Sequence, residues 1–132
     1  MEEPIWIDKP EVLVAHSRQL AEYGGSDGIR DETLLDSALA KPRNVFACAD
    51  DAVTLPRLAA SYAFGIVRNH AFVDGNKRTA LVVSEGFLRV NGWKVVVSAE
   101  EKYLTFIRLA SGSLSEKEMA AWFTMHSVLI SV

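Results

Sequence analysis

The chain has 132 residues, 49% of them hydrophobic and 23% charged, with a net charge of −3 and a pI near 5.6. That length suits one domain over residues 1–132 built on one hydrophobic core, and the composition excludes disorder, collagen-like repeats and a disulfide scaffold. The acidic balance argues against direct nucleic-acid binding, which draws on Lys and Arg to neutralise phosphates.

The acidic start MEEPIWIDKP carries no basic, apolar leader, no run is long enough to cross a bilayer, and the lone Cys48 forms no internal disulfide. A cytoplasmic protein without a membrane partner is expected. Asp8, Pro10 and Glu11 mark the start of a first helix, whose apolar face runs through Val12, Leu13, Ala15, His16, Leu20 and Tyr23 until Gly24 and Gly25 stop it. The turn-forming GGSDGIRD follows, and Asp31 caps a second helix through Leu39 that Pro42 is expected to end. Arg43 to Val53 reads as a looser stretch, within which Cys48, between two alanines, reads as small apolar filler.

Thr54 and Pro56 open a third helix in which Leu55, Leu58, Ala59, Tyr62, Ala63, Ile66 and Val67 recur at helical spacing as far as Asn69. After the polar loop HAFVDGNKR, the run TALVVSEGFLRV is apolar around most of its circumference and ends at Asn91 and Gly92. It is expected at the centre of the bundle. Trp93 to Val97 suits a short strand; Ser98 with Glu101 starts a fifth helix, and Ser115 with Glu118 a sixth that reaches toward Val128. The fold class is therefore all-α, a compact bundle of about six helices with at most a short β element.

The loop HAFVDGNKR forces a His, an Asp, a Gly, an Asn and two cations together at the entrance to an apolar helix. A helix start leaves about four N–H groups unpaired and carries partial positive charge, which makes it an anion site. Gly75 allows close backbone approach, and Lys77 and Arg78 add charge that opposes the helix dipole unless an anion is present. Phosphate fits that place. Asp74 among phosphate-binding groups suits Mg²⁺, which takes one or two carboxylates plus phosphate oxygens and water. His70 supplies an imidazole able to take a proton from an attacking hydroxyl. Phe72 is expected to point inward and fix the loop while His70 and Asp74 face out.

These residues resemble the Fic motif, His-Pro-Phe, any residue, Asp or Glu, Gly-Asn-Gly-Arg. They are more similar to its Doc variant, in which lysine replaces the second glycine to give Asn76, Lys77, Arg78, Thr79 and Ala80 here. His16 and GGSDGIRDETLLDSALAKP also resemble the Doc N-terminal region, so the likeness covers about the first two thirds of the chain. The resemblance implies a compact Fic/Doc helical fold, ATP and Mg²⁺ as cofactors, and a toxin whose kinase activity transfers the γ-phosphate to a Ser or Thr of elongation factor Tu. It implies His70 as base, Asp74 as metal ligand, and Gly75, Asn76, Lys77 and Arg78 as the phosphate cradle, with Arg68 as a further nucleotide-binding candidate just before the motif. Ala71, Lys77 and Leu81 depart from the Fic pattern of proline, second glycine and second arginine. AMP transfer remains the alternative, and an antitoxin-binding protein without catalysis the second.

Self-inhibiting Fic proteins carry a Ser or Thr followed four residues later by Glu and then Gly or Asn. No such run stands in this chain; Glu85 with Gly86 comes nearest but has Leu81 at the Ser or Thr position. The resemblance therefore implies an antitoxin that docks a helix onto the toxin. His16 and His126 read as structural, and Trp6, Trp93 and Trp122 as core or edge anchors. GGSDGIRD is read equally as a turn with a helix cap and as a segment leading into a target-docking surface.

Overall fold

The structure, a computed structural model, describes residues 1–49 and 52–130. Among them six helices follow in order, α1 (Lys9–Tyr23), α2 (Glu32–Cys48), α3 (Leu55–Asn69), α4 (Asn76–Val90), α5 (Ala99–Ser111) and α6 (Glu116–His126), with two three-residue strands, β1 (Trp93–Val95) and β2 (Ser127–Leu129). The all-α expectation holds. Four of these helices, α2, α3, α5 and α6, begin where short polar side chains satisfy first-turn amides. Asp31 accepts from Leu34 N–H, Thr54 from Arg57 N–H, Ser98 from Glu101 N–H and Ser115 from Glu118 N–H.

Two expectations fail in this part of the chain. Pro42 does not end α2; the helix continues through it to Cys48, and of the expected looser stretch only Asp50 and Asp51 lie outside the described residues. A mid-helix proline costs about 3 kcal/mol, but Leu35, Ala38 and Pro42 are all buried along one side of α2, and that packing outweighs the lost bond. Cys48 is exposed and so is not core filler.

A third correction concerns the centre of the bundle. It is α3, not α4, that packs on α2, α4, α5 and α6 together. Nine of the fifteen α3 residues are buried against seven of fifteen in α4, where Val82 and Val90 face outward. Ala59, Ala60, Ser61, Ala63 and Gly65 keep α3 slim enough to be approached from several sides. Likewise α6 stops at His126, before Val128, because Ser127–Leu129 pairs antiparallel with Trp93–Val95 as β2.

The buried apolar residues form one cluster that includes Leu58, Ile66, Phe72, Phe87, Phe106 and Phe123. Trp6 stacks on Phe87 with 5.9 Å between ring centroids, and Trp122 meets Phe123 edge-on at 5.4 Å. Inside the cluster, Tyr62 donates from its hydroxyl to Ile7 C=O at 3.1 Å and accepts from Ile7 N–H at 3.0 Å, and burial pushes its pKa up to about 12. That pair pins the N-terminal stretch over α3. No helix of the described residues is long and apolar enough to cross a membrane.

Candidate functional site

The site forms where α3 gives way to α4. His70 closes α3 at φ 47° and ψ 51°, and among the described residues no other non-glycine has positive φ. A left-handed residue bearing a Cβ costs on the order of 1–2 kcal/mol, so the surroundings must hold this bend. Below it, Ala71 and Phe72 are fully buried while His70 and Asp74 are exposed, so Phe72 points inward and the other two face out as expected.

From above, the turn segment after α1 closes over the bend. Arg30 Nε donates to His70 C=O at 2.6 Å and Nη2 donates to Asn69 C=O at 2.9 Å. The N–H groups of Arg30 and Asp31 both donate to Ala71 C=O, Val73 N–H donates to Gly28 C=O at 3.0 Å, and Ile29 bridges Phe72 antiparallel. GGSDGIRD is thus more than a turn and a cap: it is the outer edge of the motif. His16 completes the frame. It is 3% exposed, stacks on Phe72 at 3.8 Å and donates from Nε2 to Asp74 C=O at 2.8 Å.

Asp74 is held ionised. Its carboxylate accepts from Gly75 N–H at 2.8 Å and from Ser26 N–H at 3.3 Å, and these two bonds, led by that from Gly75, lower its pKa, with Lys77 and His16 adding smaller attractions. A Cβ on Gly25 would lie 2.8 Å from Asp74 Oδ2, whereas one on Gly75 would only touch Leu20 and His16, at 3.4 and 3.7 Å, but would sit on a left-handed backbone at φ +78°. Gly25 is needed for close approach and Gly75 for its positive φ. Among the described residues no three His, Cys, Asp or Glu side chains gather as a metal cage. One ionised carboxylate beside an anion site fits Mg²⁺ shared with phosphate and water instead.

The residues expected to form a phosphate cradle stand at the start of α4. Gly75 at its N-cap offers no side-chain acceptor, and the first turn contains no acidic residue, so the amides of that turn have no side-chain cap and Lys77 and Arg78 add to the positive end of the helix. Arg78 lies over the Tyr23 ring at 3.8 Å and 5.8 Å from the centre of Tyr103. Asn76 is placed differently from the rest of the cradle: 7% exposed, it spends its amide on Phe72 N–H, Phe72 C=O and His70 Nδ1.

All of these open into one cleft of about 670 Å³, lined by His70, Asp74, Gly75, Asn76, Lys77 and Arg78, by Leu20, Tyr23 and Gly25 at the end of α1, and by Lys102, Tyr103 and Phe106 of α5. Arg68 is not among the lining residues. It is exposed beside Phe64, with Nη1 3.4 Å from where a Cβ on Gly112 would sit. Sequence reasoning missed Arg30, Tyr23, Tyr103 and the site role of His16. Only His16, a polar residue on an apolar helix face, carried any signal.

Comparison with known proteins agrees with this geometry: the model of the Fic/DOC family matches residues 6–88. The chain belongs to the Fic/DOC family. Over 87 residues it is 40% identical to a protein named Toxin Doc from Mycolicibacterium smegmatis, a match covering 66% of this chain. It spans 65% of that relative's length. Over 112 residues it is 34% identical to one named Protein kinase doc from Escherichia phage P1, covering 84% of this chain and 87% of that relative. In this Fic/DOC protein the family match ends at Leu88, inside α4, so the α5 wall of the cleft lies beyond it.

Proposed function

We propose that this Fic/DOC protein is a Doc-type toxin restrained by an antitoxin, and that it acts as a Mg²⁺- and ATP-dependent protein kinase on a Ser or Thr of a translation factor, elongation factor Tu, in the cytoplasm. The observation that carries this reading is the uncapped start of α4 opening into the cleft with Lys77, Arg78 and an ionised Asp74 beside it. Unpaired amides and cations suit a polyphosphate, and the carboxylate suits the metal that accompanies it. The names of the two relatives are in keeping with a toxin and a kinase.

In the reaction the hydroxyl oxygen bonds to the γ-phosphorus, the bond to the β–γ bridging oxygen breaks, ADP leaves and the hydroxyl proton is lost. Bound Mg²⁺ neutralises phosphate charge in such transfers. Lys77, Arg78 and the first-turn amides hold the phosphates, Asp74 holds the ion, Gly75 admits the backbone to the ligand, and His70 meets the hydroxyl as base. Lys77 and Leu81 replace the second glycine and second arginine of the AMP-transferring pattern, which favours γ-phosphoryl transfer.

The test is to incubate the protein with Mg²⁺, a lysate and either γ-labelled or α-labelled ATP. We expect γ-label on a translation factor and no α-label on any protein. Label from the α-position would instead make it a nucleotidyl transferase, and no label from either, with antitoxin binding intact, a noncatalytic partner. His70→Ala and Asp74→Ala should each abolish transfer and growth arrest without unfolding, since both side chains are exposed; toxicity retained in either overturns its assignment.

A further inference from the structure

We infer that Asn76 is a positioning residue that holds the resting His70 as its Nε2–H tautomer, so that the ring meets the cleft as a hydrogen-bond donor and serves as a base only once its bond to Asn76 is released.

Backbone groups have fixed roles, the N–H donating and the C=O accepting. Both groups of Phe72 face the Asn76 side chain. Phe72 N–H donates to Oδ1 at 3.0 Å, and Phe72 C=O accepts from Nδ2 at 2.9 Å. Turning the amide over would set oxygen against oxygen and N–H against NH₂, so the backbone of Phe72 decides which end of the amide is which. At 7% exposure, little water reaches Asn76 to relieve the wrong orientation.

Nδ2 therefore has one hydrogen left, and it lies 3.2 Å from His70 Nδ1. That nitrogen must present a lone pair. A neutral imidazole carries a single N–H, which leaves the proton on Nε2, the ring nitrogen turned away from Asn76. A proton on Nδ1, in the other tautomer or in the imidazolium, would oppose two donors. The left-handed backbone of His70, held by Arg30, fixes where the ring starts, and Asn76 fixes which nitrogen carries the proton.

The consequence for chemistry rests on the kinase reading; the tautomer does not. With Nε2 already protonated, neutral His70 has no lone pair there for a hydroxyl proton. Its Nε2–H first donates to an oxygen of the phosphoryl group or of the hydroxyl. Acceptance of a proton at Nε2 requires the ring proton to stand on Nδ1, and hence the loss of the Asn76 bond.

The experiment uses the full ¹⁵N-labelled chain without ATP, metal or target. Two-bond ¹H–¹⁵N correlations report the type of each ring nitrogen, with His70 assigned by its absence in His70→Gln. The expected result for neutral His70 is a pyrrole-like Nε2 and a pyridine-like Nδ1. Asn76→Asp, which turns an acceptor toward Nδ1, should move the proton there, and Asn76→Ala should give the mixture of a free histidine. A wild-type ring protonated on Nδ1, a free-histidine mixture in the wild type, or an unchanged tautomer in a folded variant overturns the proposal. Failure of the labelled-ATP test leaves this measurement standing, so the two readings fail separately.

Discussion

In the loop it shares with His70, Asp74 is held by backbone amides. The two N–H groups around Asp74 stabilise its charge and lower its pKa, with the Gly75 bond first and the Ser26 bond second. A carboxylate whose folded pKa is depressed stabilises the protein fully above its unfolded value, about 3.9, and loses that contribution as pH falls through the lower folded value. The difference in urea midpoint between the wild type and Asp74→Asn should therefore be constant from neutral pH down to about pH 5, then shrink below about pH 4. A difference that widens on acidification would show that the two amides do not hold the ionised form. The residues from His70 to Arg78 were legible in the sequence because they are neighbours in the chain and their chemistry is visible in any order of packing. What was not legible is which neighbours spend their polar groups locally. The sequence does not show that Asn76, which lines the cleft, gives both ends of its side-chain amide to Phe72, or that Arg68 lies toward Gly112 and outside the cleft lining.

At the scale of elements, the helix starts were readable because a cap is a local event, completed within four residues by a side chain and an amide. The ends of α1, α3 and α4 were readable as well, but those of α2 and α6, and helix rank, were not. Pro42 continues α2 and α3 takes the centre because burial against other helices decides both, and that burial comes from residues distant in sequence. The α2–α3 contact makes a testable case of this. A Cβ on Gly65 would lie 3.3 Å from both Cα and Cβ of Ala38 and 3.4 Å from its carbonyl oxygen, atoms that cannot rotate out of the way. Overpacking costs about 1–3 kcal/mol, against a helix-propensity gain of up to about 1 kcal/mol, so Gly65→Ala should lower stability by up to about 2 kcal/mol. Gly86→Ala is the same substitution in α4, with nothing within 4 Å of the new Cβ. It should raise stability by about 0.5–1 kcal/mol through reduced backbone entropy and better propensity. Denaturant midpoints of the two variants check the pair. Shifts of the same sign would mean that propensity, rather than the close approach of α2 to α3, governs Gly65.

For the whole molecule, the cleft depends on three stretches that the chain separates widely: the end of α1 with the turn after it, the loop into α4, and α5. The sequence places none of these side by side. Arg30 joins the first two. Its guanidinium forks onto the carbonyls of Asn69 and His70, satisfying acceptors that the end of α3 leaves open, and so holds the turn segment against the motif while the bend at His70 is kept left-handed. If that fork is the joint, Arg30→Ala should release both edges together. Amide exchange at Arg30, Asp31 and Val73, whose N–H groups cross between the two segments, should accelerate in step, while the amides within α6 keep their protection. Hydrogen bonds from a charged donor are worth about 1.5–3 kcal/mol each, so losing both should speed exchange of the three amides by about a hundredfold or more. Arg30→Lys retains the charge but puts a single ammonium where two carbonyls need a planar fork, and should give an intermediate rate. Protection lost at Arg30 and Asp31 but kept at Val73 would mean that the motif holds its own shape, and that the left-handed bend at His70 draws its support from the buried Phe72 and His16 stack alone.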